Sequence, residues 1–237
     1  MNSLLAFDTA TERMSIALLV RGELHVHEAD GGAQASSTLI PAALSLLAQA
    51  GVALRDLDAI AFGRGPGAFT GLRTTCSVAQ GLALGAGKPV LPIDTLQVVA
   101  EDARDGDAPQ RVWVANDARM DEVYAAHYGF GPAGWTTLAP PVLTSPEALA
   151  ARWAGDPPDA VAGSALAAFG DRLPTGRARR VPDAAPRARA LMSLAQAAWR
   201  RNEGVDPALA LPLYVRDKVA QTTAERDAVR AAAEVSR

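Results

Sequence analysis

Apolar and polar positions fall in blocks that predict strands first and helices afterwards. Residues 3–8 are a short apolar run closed by Asp8, and 14–20 (Met-Ser-Ile-Ala-Leu-Leu-Val) are a second, both of a length suited to buried strands. Arg21-Gly22 supplies a tight turn into a third strand over 23–28. The chain thus opens with a three-stranded meander carrying an Asp at the end of its first strand. A polar loop over 30–37 precedes a helix at 38–50, where Leu39, Ile40, Ala43, Leu44 and Leu47 share one face. With Thr38 as N-cap, Pro41 falls in the first turn, where its missing N–H costs no helical bond; Gly51 is a natural stop. A strand at 58–62 leads into Gly63-Arg64-Gly65-Pro66-Gly67-Ala68-Phe69-Thr70-Gly71-Leu72-Arg73, the most unusual stretch of the chain. A helix over 71–86 ending near Gly87, a strand at 89–93 and a helix at 95–103 follow.

The polar, Gly- and Pro-bearing stretch 104–109 reads as a domain boundary, because the pattern then restarts. Strands are predicted at 111–115, closed by Asp117, at 121–128 and at 135–138; then helix 146–153, strand 159–163, and helices 164–169 and 187–203. Leu4-Leu5-Ala6-Phe7-Asp8 and Trp113-Val114-Ala115-Asn116-Asp117 each precede a meander, which suggests an internal duplication into two similar α/β domains, 1–104 and 105–220. Helix 187–203 is expected to pack back on the first of them. The tail 221–237, with a Thr222-x-x-Glu225 capping box but little apolar surface, is expected to be solvated.

Composition narrows the function classes. The 237 residues carry 23 Lys+Arg against 26 Asp+Glu, a net charge of −3, which argues against gripping nucleic acid through overall charge. The single cysteine, Cys76, forbids an intrachain disulfide and fits a reducing compartment. Apolar residues make up 49%, but 51 residues are Ala, so large core side chains are fewer than that fraction suggests. The N-terminus lacks a basic segment before its apolar run, and no window has ~18 unbroken apolar residues. A cytoplasmic protein without membrane contact is the simplest expectation.

Several residues could carry chemistry, each with a plainer reading beside it. Gly65-Pro66-Gly67 before a helix could cradle an anion, yet it matches neither the P-loop nor the dinucleotide spacing, and a turn permitting close packing is the commoner use. Asp8, Glu12, Asp117 and Asp121 could hold a magnesium ion through water, or cap turns. His25, His27 and His127 lack the further ligands of a zinc site. Cys76 lies among small residues as a packed thiol. Ser77, Gly81 and Gly85 repeat at steps of four, leaving a flat groove for the chain's own sheet or for a partner helix; Ala42 and Ser45 give the helix over 38–50 a small outer face too. Arg172, Arg177, Arg179, Arg180, Arg187 and Arg189 could touch nucleic-acid phosphates or form a solvated loop.

Taken together, Leu5-Ala6-Phe7-Asp8-Thr9-Ala10-Thr11, the Gly65–Arg73 loop, Gln80-Gly81-Leu82-Ala83, Asp117-Ala118-Arg119-Met120-Asp121-Glu122-Val123-Tyr124 and Pro212-Leu213-Tyr214-Val215-Arg216 resemble the TsaB family, over about residues 3–220. The resemblance implies the actin-like, sugar-kinase-like ATPase fold with two duplicated domains, each a mixed sheet flanked by helices. It implies a non-catalytic partner of TsaD, the paralogue that transfers threonylcarbamoyl to the adenosine beside the anticodon, together with the P-loop ATPase TsaE. TsaD-type chains carry two histidines where this one has Thr95 and Val99, and a small hydroxyl residue near Met14. Threonine is a poor ligand and valine none, so no metal, cofactor or catalytic residue is expected. What remains is docking. Thr38, Ala42, Ser45, Arg73, Ser77, Gly81 and Gly85 are the expected contacts of a TsaD heterodimer, with a homodimer in its absence and tRNA reached only through the complex. A metallopeptidase, or a small-molecule kinase or ATPase of the same superfold, is the alternative.

Overall fold

The computed structural model describes residues 2–216, so the tail 221–237 and its capping box lie outside the described residues. In the first half, β1 (Leu4–Asp8), β2 (Arg13–Val20) and β3 (Glu23–Asp30) form the meander, followed by α1 (Ala35–Gln49), β4 (Ala59–Gly65), α2 (Phe69–Ala86), β5 (Val90–Asp94) and α3 (Thr95–Asp102). The sheet runs β3-β2-β1-β4-β5, antiparallel across the meander and parallel across β1, β4 and β5. The second half has β6 (Gln110–Asp117), β7 (Val123–Gly131), β8 (Gly134–Thr144), α4 (Pro146–Gly155), β9 (Ala160–Ala162), α5 (Ala165–Phe169), β10 (Arg179–Val181) and α6 (Ala188–Arg200). Read from its meander, this sheet runs β8-β7-β6-β9-β10 with the same sense at each pairing. The two sheets are one topology written twice, and Asp8 and Asp117 end the equivalent strands.

Both faces of the first sheet are covered, which is why β1 is buried along its whole length. Leu5, Phe7, Ile16 and Leu18 meet Leu39 and Leu47 of α1 and Ala79 and Ala83 of α2. On the other face, Leu4, Ala6, Leu91 and Ile93 meet Leu191, Leu194, Ala195 and Ala198 of α6. α3 fills the space to the second sheet, placing Leu96, Val99 and Ala100 against Val112, Val114 and Tyr128. Trp113 and Val161 face Leu149 and Trp153 of α4 on the outer side.

Three departures from the sequence reading have physical causes. α1 begins at Ala35, after a 3₁₀ turn over Gly32–Gln34, so Thr38 is not the N-cap. Its hydroxyl, like that of Ser37, instead donates back to the Gln34 carbonyl at 2.9 Å, and Pro41 sits inside the helix at the cost of one backbone bond. Ile40 and Leu44, assigned to the core face, are 39% and 47% exposed. The Arg-bearing stretch after 172 contains β10, whose three residues pair with β9.

Candidate interlobe cleft and partner face

The turn after β1 is built against the glycine loop. Asp8 is fully buried; its Oδ1 accepts from the Ala10 amide at 2.6 Å and its Oδ2 from the Thr95 hydroxyl at 2.7 Å. Thr95 in turn accepts from the Gly65 amide at 3.1 Å. Burial pushes the Asp8 carboxyl above its ordinary value, and the two hydrogen bonds oppose that shift. Thr9 shares a 2.6 Å hydroxyl contact with Thr75 and donates to the Gly71 carbonyl at 2.9 Å, while the Ala68 amide donates to Ala10 O at 2.7 Å. Cβ atoms at Gly63, Gly67 and Gly71 would overlap Asp8, Ala10 and Thr9 respectively. The glycines therefore let the loop lie directly on the β1 turn, the close-packing use rather than an open anion cradle. The second half repeats the device at Gly163 (φ +113°), where a Cβ would overlap Asn116 and Ala115. A glycine just after β9, matching Gly63 near the end of β4, is a repeat signal that the sequence analysis missed.

Between the two turns lies a cleft of about 600 Å³, lined by Ala10, Gly67, Phe69, Ala118, Met120 and Tyr124 among others. Arg119 joins its sides, bonding Asp117 at 3.1 Å and reaching across to Glu12. Arg119, Met120 and Asp121 are three successive residues in the left-handed region, with φ of 62°, 56° and 62°. Asp121 is fixed by Arg172 at 2.5 Å, and that guanidinium holds its carboxyl below the ordinary value. The C-terminal segment crosses the cleft. The Leu213 amide donates to Arg64 O at 2.7 Å, the Tyr214 ring lies 5.5 Å from Phe69, and Arg216 binds the Ala118 carbonyl and Glu122, at 2.9 and 2.8 Å. Three of the four acidic candidates, Glu12, Asp117 and Asp121, are thus engaged with arginines, and Asp8 with Thr95 and its own turn. Among the described residues no group of three His, Cys, Asp or Glu side chains is placed to hold a metal ion. Met14 is buried in the core, its sulfur 3.8 Å from Thr38 Oγ1, and Val99 is buried as well.

The helical contacts expected for a partner fall on the outer side of α1 and α2. Arg73, Ser77, Gly81 and Gly85 are exposed on α2, and a Cβ at Gly81 or Gly85 meets nothing within 4 Å. Leu84, 77% exposed, stands on the same side. On α1, Ser45 is exposed and Thr38 and Ala42 are half-buried. At 100° per residue these three occupy one flank of α1, and the exposed Ile40 and Leu44 the opposite one. The sequence reading named the small residues and missed the two aliphatic ones. Of the six arginines weighed between phosphate contact and a solvated loop, Arg172 pairs with Asp121 and Glu147, Arg187 with Asp102, and Arg179 and Arg180 donate to Ala103 O and Leu166 O. His127 stacks on Trp113 at 4.7 Å, its pKa lowered by burial, and His25 lies 3.9 Å from Glu23. Cys76 is buried and donates to Ala210 O. No helix of the described residues is long and apolar enough to cross a membrane.

Residues 25–174 match the family model described as TsaD, tRNA N6-adenosine threonylcarbamoyltransferase. A Haemophilus influenzae protein named tRNA threonylcarbamoyladenosine biosynthesis protein TsaB is 36% identical over 230 residues, 92% of this chain and 94% of that one. This chain belongs to the TsaB family. The Escherichia coli K12 TsaB is 42% identical over 125 residues, covering 53% of this chain and 54% of that protein. A solved structure of YeaZ from Pseudomonas aeruginosa has a TM-score of 0.82 at 40% identity, covering 90% of this chain and all of that one. A second Pseudomonas aeruginosa structure, described as similar to the peptidase YeaZ, reaches 0.83 at 40% identity over 91% and 100% of the two chains. The duplicated mixed sheets are those of the actin-like, sugar-kinase-like fold, here as TsaB proteins carry it.

Proposed function

We propose that this chain is a docking subunit in the biosynthesis of threonylcarbamoyladenosine in tRNA. In this reading it binds a TsaD-type transferase, acts with a TsaE-type ATPase in the cytoplasm, and performs no chemical step itself. Residues 1–104 form the domain that carries the interface and 105–220 a reduced second domain. Thr38, Ala42, Ser45, Arg73, Ser77, Gly81 and Gly85 line the contact, and tRNA is met only through the complex.

The observation that carries the reading is the outer face of α2: a stripe of small residues where a Cβ at Gly81 or Gly85 would meet nothing within 4 Å beyond the helix's own backbone, beside a leucine left 77% exposed. Small residues let a second helix backbone approach closely, and exposed aliphatic side chains supply the apolar burial that holds it. The transferase-family match spans both α1 and α2, so a TsaD-type partner has counterparts of these helices and can pair with them about a pseudo-two-fold axis. Without that partner the same face pairs two copies of this chain. The engaged Asp8, Glu12, Asp117 and Asp121 side chains support a role without catalysis.

Reconstitution tests this directly. TsaD- and TsaE-type proteins are assayed for modified tRNA with and without this chain, and with Gly81→Arg. The expected result is activity that depends on this chain and falls at least tenfold with Gly81→Arg, at unchanged melting temperature. Full activity without this chain, or an unaffected variant, overturns the proposal.

A further inference from the structure

We infer that the C-terminal segment 207–214 is a third element of the docking face, with Leu209 and Leu211 inserting against the transferase-type subunit; this rests on the docking function proposed above. α2 has neighbours on both flanks. Val78 and Leu82, on one flank, pack into the core cluster that α1 shares. Cys76 and Gln80, about half a turn round the helix, both donate to the Ala210 carbonyl, at 2.6 and 3.1 Å. The Ala210 side chain is fully buried in that same cluster. Two bonds and a buried anchor thus fix the backbone beside α2, yet Leu209 and Leu211 on either side of Ala210 are 62% and 64% exposed. Large aliphatic side chains held rigidly in water are surface waiting to be covered. Farther along the segment, Tyr214 is bonded to Arg73 at 3.2 Å, and Arg73 stacks on Phe69 at 3.9 Å from the ring centroid, so the apolar surface is continuous with the outward stripe of α2.

Area decides whether the two helices suffice alone. At roughly 100 Å² per aliphatic side chain and about 200 Å² per aromatic one, the exposed fractions of Ile40, Leu44, Leu84 and Phe69 show roughly 240 Å². A standard interface buries about 800 Å² on each partner, a little over half of it apolar. Leu209, Leu211 and Tyr214 of the segment add roughly 220 Å² and bring the apolar total into that range. The occupant is the transferase-type subunit rather than a second copy. The match to that family covers α1 and α2, the helices that flank this segment's anchor, so a transferase-type subunit has counterparts of the surface the segment extends.

The test measures binding of the purified TsaD-type subunit by calorimetry to the full chain, to Gly81→Arg, and to the double variant Leu209→Ser with Leu211→Ser. Melting temperature and sedimentation are recorded for each. The double variant is expected to raise Kd at least tenfold with its melting temperature unchanged. If only Gly81→Arg weakens binding, the segment is not part of the interface and the docking function stands. If neither does, both proposals fall. If the double variant alters self-association alone, the leucines belong to a homodimer and the inference is overturned. Should the double variant melt early, the single change Leu211→Asp, at an exposed side chain, is held to the same tenfold criterion.

Discussion

Two glycines ten residues apart on α2 should answer the same substitution with opposite signs. A Cβ at Gly71 would stand 2.9 Å from the Thr9 carbonyl carbon and closer still to its oxygen. Both neighbours are backbone, so relief requires moving the β1 turn, and movement breaks the 2.9 Å bond from the Thr9 hydroxyl to Gly71 O. Overpacking of this kind costs about 1–3 kcal/mol, and the lost bond about 1 more. Better helix propensity returns at most about 1 kcal/mol. Gly71→Ala is therefore expected to lose about 1–3 kcal/mol, which for a chain of this size lowers the melting temperature by roughly 2–12 °C. At Gly81 the same methyl meets nothing within 4 Å, so only propensity acts. Gly81→Ala should gain about 1 kcal/mol and 2–4 °C. Urea titrations at unchanged m-value, with thermal melts beside them, read both effects. A neutral Gly71→Ala would refute the claim that the glycine loop lies directly on the turn. A destabilising Gly81→Ala would show that the outer side of α2 is not open.

Asp8 supplies a pH test. Because burial raises its carboxyl above 3.8, its protonated form favours the fold; that stability is complete below 3.8 and lost as pH rises through the folded-state value. Asp8→Asn is neutral throughout, so its stability relative to the unsubstituted protein should shift in favour of Asn as pH rises above 3.8 and through the folded-state value; urea midpoints with a pH-independent difference would contradict this. Met120 is the second case. It is 66% exposed at φ 56°, where a side chain costs about 1–2 kcal/mol, so Met120→Gly is expected to raise stability by about 1 kcal/mol. A lower urea midpoint would mean that its contact with Arg216 outweighs the relief.

The doubled meander was legible because period and length agree there: β1 and β2 are apolar runs of strand length, and Arg21-Gly22 fixes the turn between them. The end of α2 at Gly87, left-handed at φ 64°, was equally plain. α1 was harder. Its stripe of Leu39, Ile40, Ala43, Leu44 and Leu47 is wider than one buried face, and periodicity cannot say which edge stays in water. The start of α1 was misplaced because Thr38 followed by Pro41 imitates a cap, while the true first turn grows from a 3₁₀ turn without a capping side chain. β10 escaped notice because Arg-Arg-Val has no strand pattern of its own; it exists because β9 offers it an edge. Of the cleft, Asp8 and Asp117 could be picked out, but Thr95 as the partner of Asp8 and Arg119 as the link to Glu12 depend on contacts 87 and 107 residues apart.

The position of α6 has a consequence for how the molecule is made. The first sheet is complete once Asp94 has been synthesised, yet one whole face of it is covered by a helix that begins at Ala188. At 5–20 residues per second the ribosome needs roughly 5–20 s to deliver that cover. During this interval Leu4, Ala6, Leu91 and Ile93 of the nascent chain lack the helix that shields them in the finished protein. The same arrangement forbids cutting the gene at the linker after α3 to express the first half as a free-standing unit. A truncation that keeps residues through Arg200 preserves the lid; one that stops at Asp102 leaves a greasy sheet surface, and that product should be recovered in inclusion bodies.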